Sequence, residues 1–390
     1  MPATFETLGL SSDLVDALAR DGITEPFPIQ ELTIPDALAG RDLCGKAKTG
    51  SGKTLAFGLP LLERVHQAEA RRPRALVLTP TRELANQVTT VLAPLAKMRQ
   101  RRVTAVYGGV SMEPQIKALQ QGTDAVVGTP GRLIDLIERR ELSLDAIEIL
   151  VVDEADRMAD MGFMPQVQKI LHRISGEHQT MLFSATLDGA VKRLVERYLH
   201  DPVHHEVESK EATVEEMEHR FLLVHQMDKV KVAAAITAGV DRTLLFMRTK
   251  RGADRLVMQL RREGVRASAI HGDLRQGARE RALEDFMTGK VPVLVATDVA
   301  ARGIHVDGVD VVVPYDPAED ETSYLHRSGR TARAGESGVA VTLMLWNQEN
   351  EIRLVQKRLG LQDPIVEVFS NDPRLADLRA WEPAGEAVPA

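Results

Sequence analysis

Short, nearly unbroken apolar runs separated by helix-length stretches recur along the chain, and this alternation restricts it to an α/β fold. The first half carries ALVLTP (75–80), VTAVYGG (103–109), DAVVGTP (124–130), IEILVVDEAD (147–156) and TMLFSAT (180–186), each stopping at a polar residue, a proline or a glycine. Runs of Val, Ile and Leu that do not alternate with polar residues mark strands covered on both faces, as in a parallel sheet with crossover helices. A second series follows: HRFLLVH (219–225), RTLLFMRT (242–249), RASAIHG (266–272), VPVLVATD (291–298), VDVVVPYD (309–316) and GVAVTLML (338–345). Between the two series, residues 208–218 hold five glutamates and one lysine with no apolar period. The expected organisation is a first domain over 1–207, a linker over 208–218, a second domain over 219–365 and a short flexible tail over 366–390. Open parallel sheets bind ligands beyond the C-terminal ends of their strands, so chemistry is sought where each apolar run stops.

Composition narrows the class. At 390 residues the chain is too long for one ordinary core, and 44% hydrophobic with 27% charged residues is the balance of a globular protein in water. No apolar run approaches the ~20 residues of a membrane span. The N-terminal MPATFETLGL has neither a basic n-region nor a continuous apolar h-region, so the expected compartment is the cytoplasm. Cys44 is the only cysteine, which excludes an intrachain disulfide and a cysteine-based zinc site. The net charge of −7 gives no hint of a nucleic-acid partner, although a local groove needs only a few well-placed cations.

The most specific site is AKTGSGKT: Ala47, Lys48, Thr49, Gly50, Ser51, Gly52, Lys53 and Thr54. Gly50 and Gly52 let backbone N–H groups approach phosphate oxygens, and a following helix offers its positive N-terminal end. Lys53 is placed to reach the β- and γ-phosphates and the Thr54 hydroxyl to ligate Mg²⁺. The strict phosphate-loop pattern fails at one point, because Ala47 stands where the first glycine is expected. The G-x-G-K-T core is still a roughly one-in-10⁵ event per position at average composition. ILVVDEAD supplies a metal partner: Asp153, at a strand end, to hold Mg²⁺, and Glu154 to polarise an attacking water.

With Asp153-Glu154-Ala155-Asp156 the chain resembles the DEAD-box RNA helicases, and the other motifs of that family follow in order over about residues 5 to 345. Phe5 and the stretch Gly22 to Gln30 resemble the Q motif, which implies that Gln30 reads adenine and the upstream aromatic stacks on it. Pro80 to Ala85, Gly108-Gly109 and Thr129 to Arg132 resemble the RNA-contacting loops of the first domain, and Ser184-Ala185-Thr186 the motif coupling hydrolysis to strand separation. In the second domain, Leu245-Phe246, the pair Gln276 and Arg279, Ala296-Thr297-Asp298 with Arg302-Gly303, and His326 to Arg333 match further motifs.

The resemblance implies two tandem RecA-like domains, each a parallel sheet flanked by helices, with ATP and Mg²⁺ as cofactors and RNA as partner. It implies RNA contacts from Arg82, Gly109, Thr129, Arg132, Gln276, Arg279 and Thr297, mainly to the backbone, and a nucleotide approach by Gly303. Coupling is implied for Ser184, Thr186, Asp156 and His326. Arg330 and Arg333 would face the γ-phosphate once the domains close, giving an RNA-stimulated ATPase that opens short duplexes or remodels RNA–protein complexes. An ATP-gated RNA clamp has the same motifs, and a DNA translocase shares the tandem domains. A monomer is expected, with protein partners for targeting and no membrane association. One departure stands out: His305 occupies the position where the family usually carries aspartate.

Overall fold

The computed structural model describes residues 3–47, 50–207, 217–301, 309–331, 338–378 and 380–381. The chain divides into two compact units, Met1–Ser209 and Lys210–Ala390.

In the first unit, β1 (Leu43–Lys46), β2 (Ala75–Leu78), β3 (Val103–Val106), β4 (Ala125–Gly128), β5 (Ile149–Asp153), β6 (Gln179–Ser184) and β7 (Val203–Glu206) form one sheet in the order β3-β4-β2-β5-β6-β1-β7. Every pairing is parallel. The central strands β2, β4, β5 and β6 are buried throughout. Their period of two sorts side chains into two cores, one on each face. Val77, Val127, Val151, Met181 and Phe183 enter one, and Leu76, Val126, Leu150, Val152 and Leu182 the other. Full burial of each such side chain is worth about 1.5–3 kcal/mol, which is why runs without polar alternation are stable only here.

The second unit repeats the plan. Its strands are β8 (Glu218–Leu223), β9 (Thr243–Met247), β10 (Ala267–Ile270), β11 (Val293–Thr297), β12 (Val311–Pro314), β13 (Val339–Met344) and β14 (Ile365–Glu367), in the order β10-β11-β9-β12-β13-β8-β14. All pairings are again parallel. Counted from its own first strand, the order is identical to that of the first unit. Two α/β units with parallel sheets are thus present, as the apolar runs require. Among the described residues, no helix is long and apolar enough to cross a membrane.

Three strands escape the sequence pattern. β1 reads LCGK, and Gly45 breaks its apolar run for a packing reason: a Cβ there would lie 2.7 Å from the Phe183 ring. β7 reads VHHE and is an edge strand with alternate residues exposed, so it carries no continuous apolar signal. β14 lies at the start of the segment expected to be a flexible tail. That expectation is corrected over residues 366–381: Val366, Val368, Leu375, Leu378 and Trp381 are buried in the core that also holds Leu222 and Leu245. The buried Arg220 guanidinium holds the segment, donating to the Trp381 carbonyl at 2.6 Å and to that of Leu378 at 3.4 Å. Isolated apolar residues around a 3₁₀ turn, Pro373–Ala376, have no periodicity to read. At the other end of the unit, Glu218 of the expected linker already pairs in β8, and residues 208–216 lie outside the described residues.

Candidate active site

β1 ends beside β6, where the Ala47 N–H donates to the Ser184 carbonyl at 3.0 Å. The chain then passes through Gly50 (φ 86°) and Gly52 (φ 88°) into the helix Lys53–Arg64. Both glycines are left-handed, a conformation that costs other residues dearly. Gly52 is constrained a second time, because a Cβ there would lie 2.5 Å from Gln30 Nε2 and 2.7 Å from Phe27 Cδ2. Lys53 is 6% exposed and its Nζ donates to the Ala47 carbonyl at 3.0 Å. Ala47, at the position of the missing first glycine, is packed in the core. Thr54 is half-buried in the first turn, as are Ser51 and Gly52 just before the helix, whereas Lys48 and Thr49 lie outside the described residues.

β5 delivers Asp153 to the same rim, two strands from β1. Asp153 is 3% exposed, and its Oδ1 is buried without a hydrogen-bond partner. Burial pushes its carboxyl up to about 7; the Lys53 charge opposes this, while Glu154 and Asp156 reinforce it. An orphaned carboxylate oxygen of this kind suits a divalent cation. Among the described residues no cluster of three or more His, Cys, Asp or Glu could hold an ion by itself. A single buried carboxylate of this kind fits Mg²⁺, which keeps several waters and shares substrate phosphates rather than entering an all-protein cage.

Glu154 follows with φ 54° and ψ 52°, left-handed although it is not glycine, and is 2% exposed. Such a backbone costs ~1–3 kcal/mol and marks sites where position matters more than stability. The Arg157 guanidinium pairs with its carboxylate. Asp156 reaches across to the end of β6: its Oδ2 accepts the Ala185 N–H at 3.1 Å and the Thr186 N–H at 3.3 Å. Its own N–H donates to Ser184 Oγ at 3.2 Å. Ser184, Thr186 and Asp156 are therefore brought together, one strand from the Lys53 loop.

Gln30 is 1% exposed and spans two backbone segments. Its Oε1 accepts the Phe27 N–H at 2.9 Å and its Nε2 donates to the Gly52 carbonyl at 2.9 Å. Phe5 is 2% exposed and packed with Leu10 and Leu14 in the core, so its ring faces apolar side chains rather than solvent.

The expected RNA contacts of the first unit converge on one loop. Arg82 opens the helix Arg82–Met98, and its guanidinium lies where a side chain at Gly109 (φ 81°) would have to go. Arg132, 9% exposed, donates from Nη2 to the Val110 carbonyl at 3.0 Å; its Nε and Nη1 are buried without partners. The Thr129 N–H donates to the Val106 carbonyl at 3.0 Å.

In the second unit, Thr297 ends β11 and is 6% exposed. Gln276 opens the helix Gln276–Met287, donates from Nε2 to Glu280 at 2.9 Å, and shares that helix with Arg279. The residue that organises this rim, Arg327, was not singled out by the sequence. It is 3% exposed and forks onto Asp298 at 2.6 and 2.7 Å, while its Nη1 donates to the Asp316 carbonyl at 2.6 Å. It also lies 5.4 Å from the centre of the Phe246 ring. The HRSGRTAR run contains it, but a run of arginines does not say which one is buried. His326 and Arg330 line a shallow hollow beside it. Gly303, His305 and Arg333 lie outside the described residues.

Set against known proteins, residues 27–194 match the family model of the DEAD/DEAH box helicases, and residues 228–335 match that of the helicase conserved C-terminal domain. The chain is 43% identical over 359 residues to the DEAD-box ATP-dependent RNA helicase CshA of Bacillus licheniformis, covering 92% of this chain and 74% of that protein. It is 44% identical over 386 residues to the ATP-dependent RNA helicase CshA of Listeria monocytogenes, with 97% and 74% covered. Among solved structures, S. cerevisiae Dbp5 bound to RNA and ADP BeF3 superposes with a TM-score of 0.81 at 31% identity, over 95% of this chain and 96% of that one. With family models matched over both units and relatives above 40% identity along most of its length, the chain belongs to the DEAD-box ATP-dependent RNA helicases.

Proposed function

We propose that the chain is an RNA-stimulated ATPase that holds RNA by its backbone, opens short duplexes or remodels RNA–protein complexes locally, and lets the RNA go after hydrolysis. The observation that supports this most is the continuity from nucleotide to strand-separation motif inside the first unit. Lys53 acts on Asp153 through charge, and Asp156, three residues on, bonds Ser184, Ala185 and Thr186.

In this reading Lys53 and the loop amides receive the β- and γ-phosphates, and Thr54 and Asp153 hold Mg²⁺. The ion, when bound, neutralises charge that builds on the phosphate oxygens. Glu154, fixed by its left-handed backbone and by Arg157, orients and polarises the attacking water. Arg330 and Arg333 belong to the second unit and would complete the charge on the γ-phosphate only when the units close. An arginine supplied in this way is worth ~10³–10⁵ in rate, so closure on RNA becomes the switch for turnover. Arg82, Gly109, Thr129, Arg132, Gln276, Arg279 and Thr297 hold the RNA. Phosphate contacts fix register without reading sequence, and 2′-hydroxyl contacts tell RNA from DNA.

The test is the ATPase rate of the unmodified protein alone, with single-stranded RNA and with DNA of the same sequence, beside displacement of a short RNA duplex. RNA is expected to stimulate and DNA is not. Equal stimulation by both would overturn the RNA reading, and RNA-stimulated hydrolysis without strand displacement would leave a clamp.

A further inference from the structure

The loop after β3, Tyr107 to Ser111, carries Gly109, the glycine given to RNA in the reading above, and its backbone is sorted by polarity. The Thr129 N–H donates to the Val106 carbonyl at 3.0 Å, and Arg132 Nη2 donates to the Val110 carbonyl at 3.0 Å. The carbonyls of Tyr107 and Ser111 are gathered by a single atom, Gln115 Nε2, at 3.1 and 3.4 Å. Among the described residues, the N–H groups of Gly108, Gly109, Val110 and Ser111 donate to no protein acceptor. Gly109 is left-handed at φ 81°, and Gly109 to Ser111 are exposed. Four carbonyls between Val106 and Ser111 thus bond the protein, while four consecutive amides stay open.

Packing alone would not select Gln115. It lies on the helix Glu113–Gln120 and is 7% exposed, one turn from the fully buried Leu119 and next to Ile116, which packs on the same core. An apolar side chain would suit that position. The amide instead leaves its Oε1 buried without a partner, so the fold bears the desolvation of that oxygen. What the amide contributes is the shape of the loop. We propose that Gln115 is a positioning residue for RNA: by holding the Tyr107 and Ser111 carbonyls, it keeps the amides of Gly108 to Ser111 turned outward as a receptor for a phosphate of the RNA backbone. Successive N–H groups around a left-handed turn form such an anion-binding concavity, and a phosphate contact reads no sequence. Gln115 touches the loop and not the RNA. The inference rests on the RNA reading of this loop and adds the residue that shapes it.

The experiment uses the full chain, unmodified and as Gln115→Met and Gln115→Leu, which fill the space without a donor. ATP turnover is titrated with single-stranded RNA, and melting is followed by calorimetry. Backbone hydrogen exchange across residues 107–112 is measured with and without RNA, in the presence of a non-hydrolysable ATP analogue. Loss of one phosphate contact predicts that the RNA concentration for half-maximal turnover rises roughly tenfold in both variants, with kcat at saturating RNA retained. The melting temperature holds or rises, since no orphaned oxygen remains. RNA slows exchange of the Gly108 to Ser111 amides in the unmodified protein, and far less in the variants at matched RNA occupancy. An unchanged half-maximal RNA concentration, or equal protection of those amides, would overturn the proposal. So would a joint fall in kcat and melting temperature, the mark of a packing role alone. Turnover of the unmodified protein that ignores RNA would overturn the RNA reading and the proposal with it, whereas RNA stimulation unchanged in both variants would overturn the proposal alone.

Discussion

Lys53 and Lys229 occupy the same place in two sheets of the same strand order. Each is the first residue of the helix that follows its unit's first strand, β1 or β8. Each also interacts by charge with an aspartate at or just past the end of its unit's fifth strand: Lys53 acts on Asp153, and Asp316 acts on Lys229. Their surroundings then diverge. The loop before Lys53 turns through left-handed Gly50 and Gly52. The connector before Lys229, Val224 to Asp228, contains no glycine, and the Lys229 ammonium sits 4.7 Å from the centre of the Tyr315 ring. Burial lowers that ammonium to about 8 and raises the Tyr315 phenol to about 12. One scaffold position thus serves two ends. Topology puts a lysine at the sheet rim, and the backbone before it with the residues at or just past the fifth strand's end decide whether it sits behind a glycine loop or against an aromatic ring.

The sharpest way to break this comparison is a pair of substitutions. Lys53→Ala is expected to remove RNA-stimulated ATP turnover by about 10²–10³-fold or more, because a charge directed at the transferring phosphate is lost. Lys229→Met, which fills the same volume with apolar atoms, is expected to leave kcat within about threefold. Comparable losses in steady-state assays of both would erase the distinction.

Next in size, Glu154→Gln should keep ATP and RNA binding while nearly abolishing turnover, since only the water-polarising carboxylate is removed. Unchanged RNA-stimulated hydrolysis in that variant would rule out its assigned role. Smaller again is Asp156→Ala, which strips two backbone N–H groups of their acceptor at the Ser184–Thr186 corner. Strand displacement is expected to fall about tenfold while ATP hydrolysis changes less, the signature of lost coupling. Equal losses in the two assays would show that Asp156 serves hydrolysis itself.

The smallest effects are opposite slopes in stability against pH. Asp153 is raised from 3.8 to about 7, so between those values the folded chain keeps a proton that the unfolded chain has released, and stability from this group falls as pH rises. Lys229 is lowered from 10.5 to about 8, so between those values the unfolded chain holds the extra proton, and stability rises with pH. Thermal melting of metal-free Asp153→Asn should flatten the first limb, and Lys229→Met the second. A change of the same sign in both windows would contradict the two environments.

Much of this was legible in the chain. The two series of apolar runs correspond to strands covered on both faces, and the Gly-x-Gly-Lys-Thr and Asp-Glu-Ala-Asp stretches sit at strand ends. What escaped depended on distance or on a missing side chain. The Arg327–Asp298 fork joins residues 29 apart, and nothing in HRSGRTAR distinguishes its first arginine from the others. Gln30 was read as a ligand contact, yet its amide also braces the phosphate loop across 22 residues. β1 was invisible because Gly45 yields its space to Phe183, and β7 because an edge strand tolerates histidines. The pairing of Lys53 with Lys229 emerges only once the strand orders are laid side by side.

The grip of Arg220 on the last described residues has a practical side. Besides the carbonyls of Leu378 and Trp381, its guanidinium is held by Glu218 at 2.7 Å and the His219 carbonyl at 3.0 Å, and Arg374 lies 4.6 Å from the centre of the Trp381 ring. Anyone shortening the second unit to end after its final strand at Glu367 would remove two of those acceptors and leave the buried guanidinium to Glu218 and the His219 carbonyl alone. A version of that unit that keeps all these contacts runs through Trp381, whose carbonyl lies against Arg220 near the start of β8.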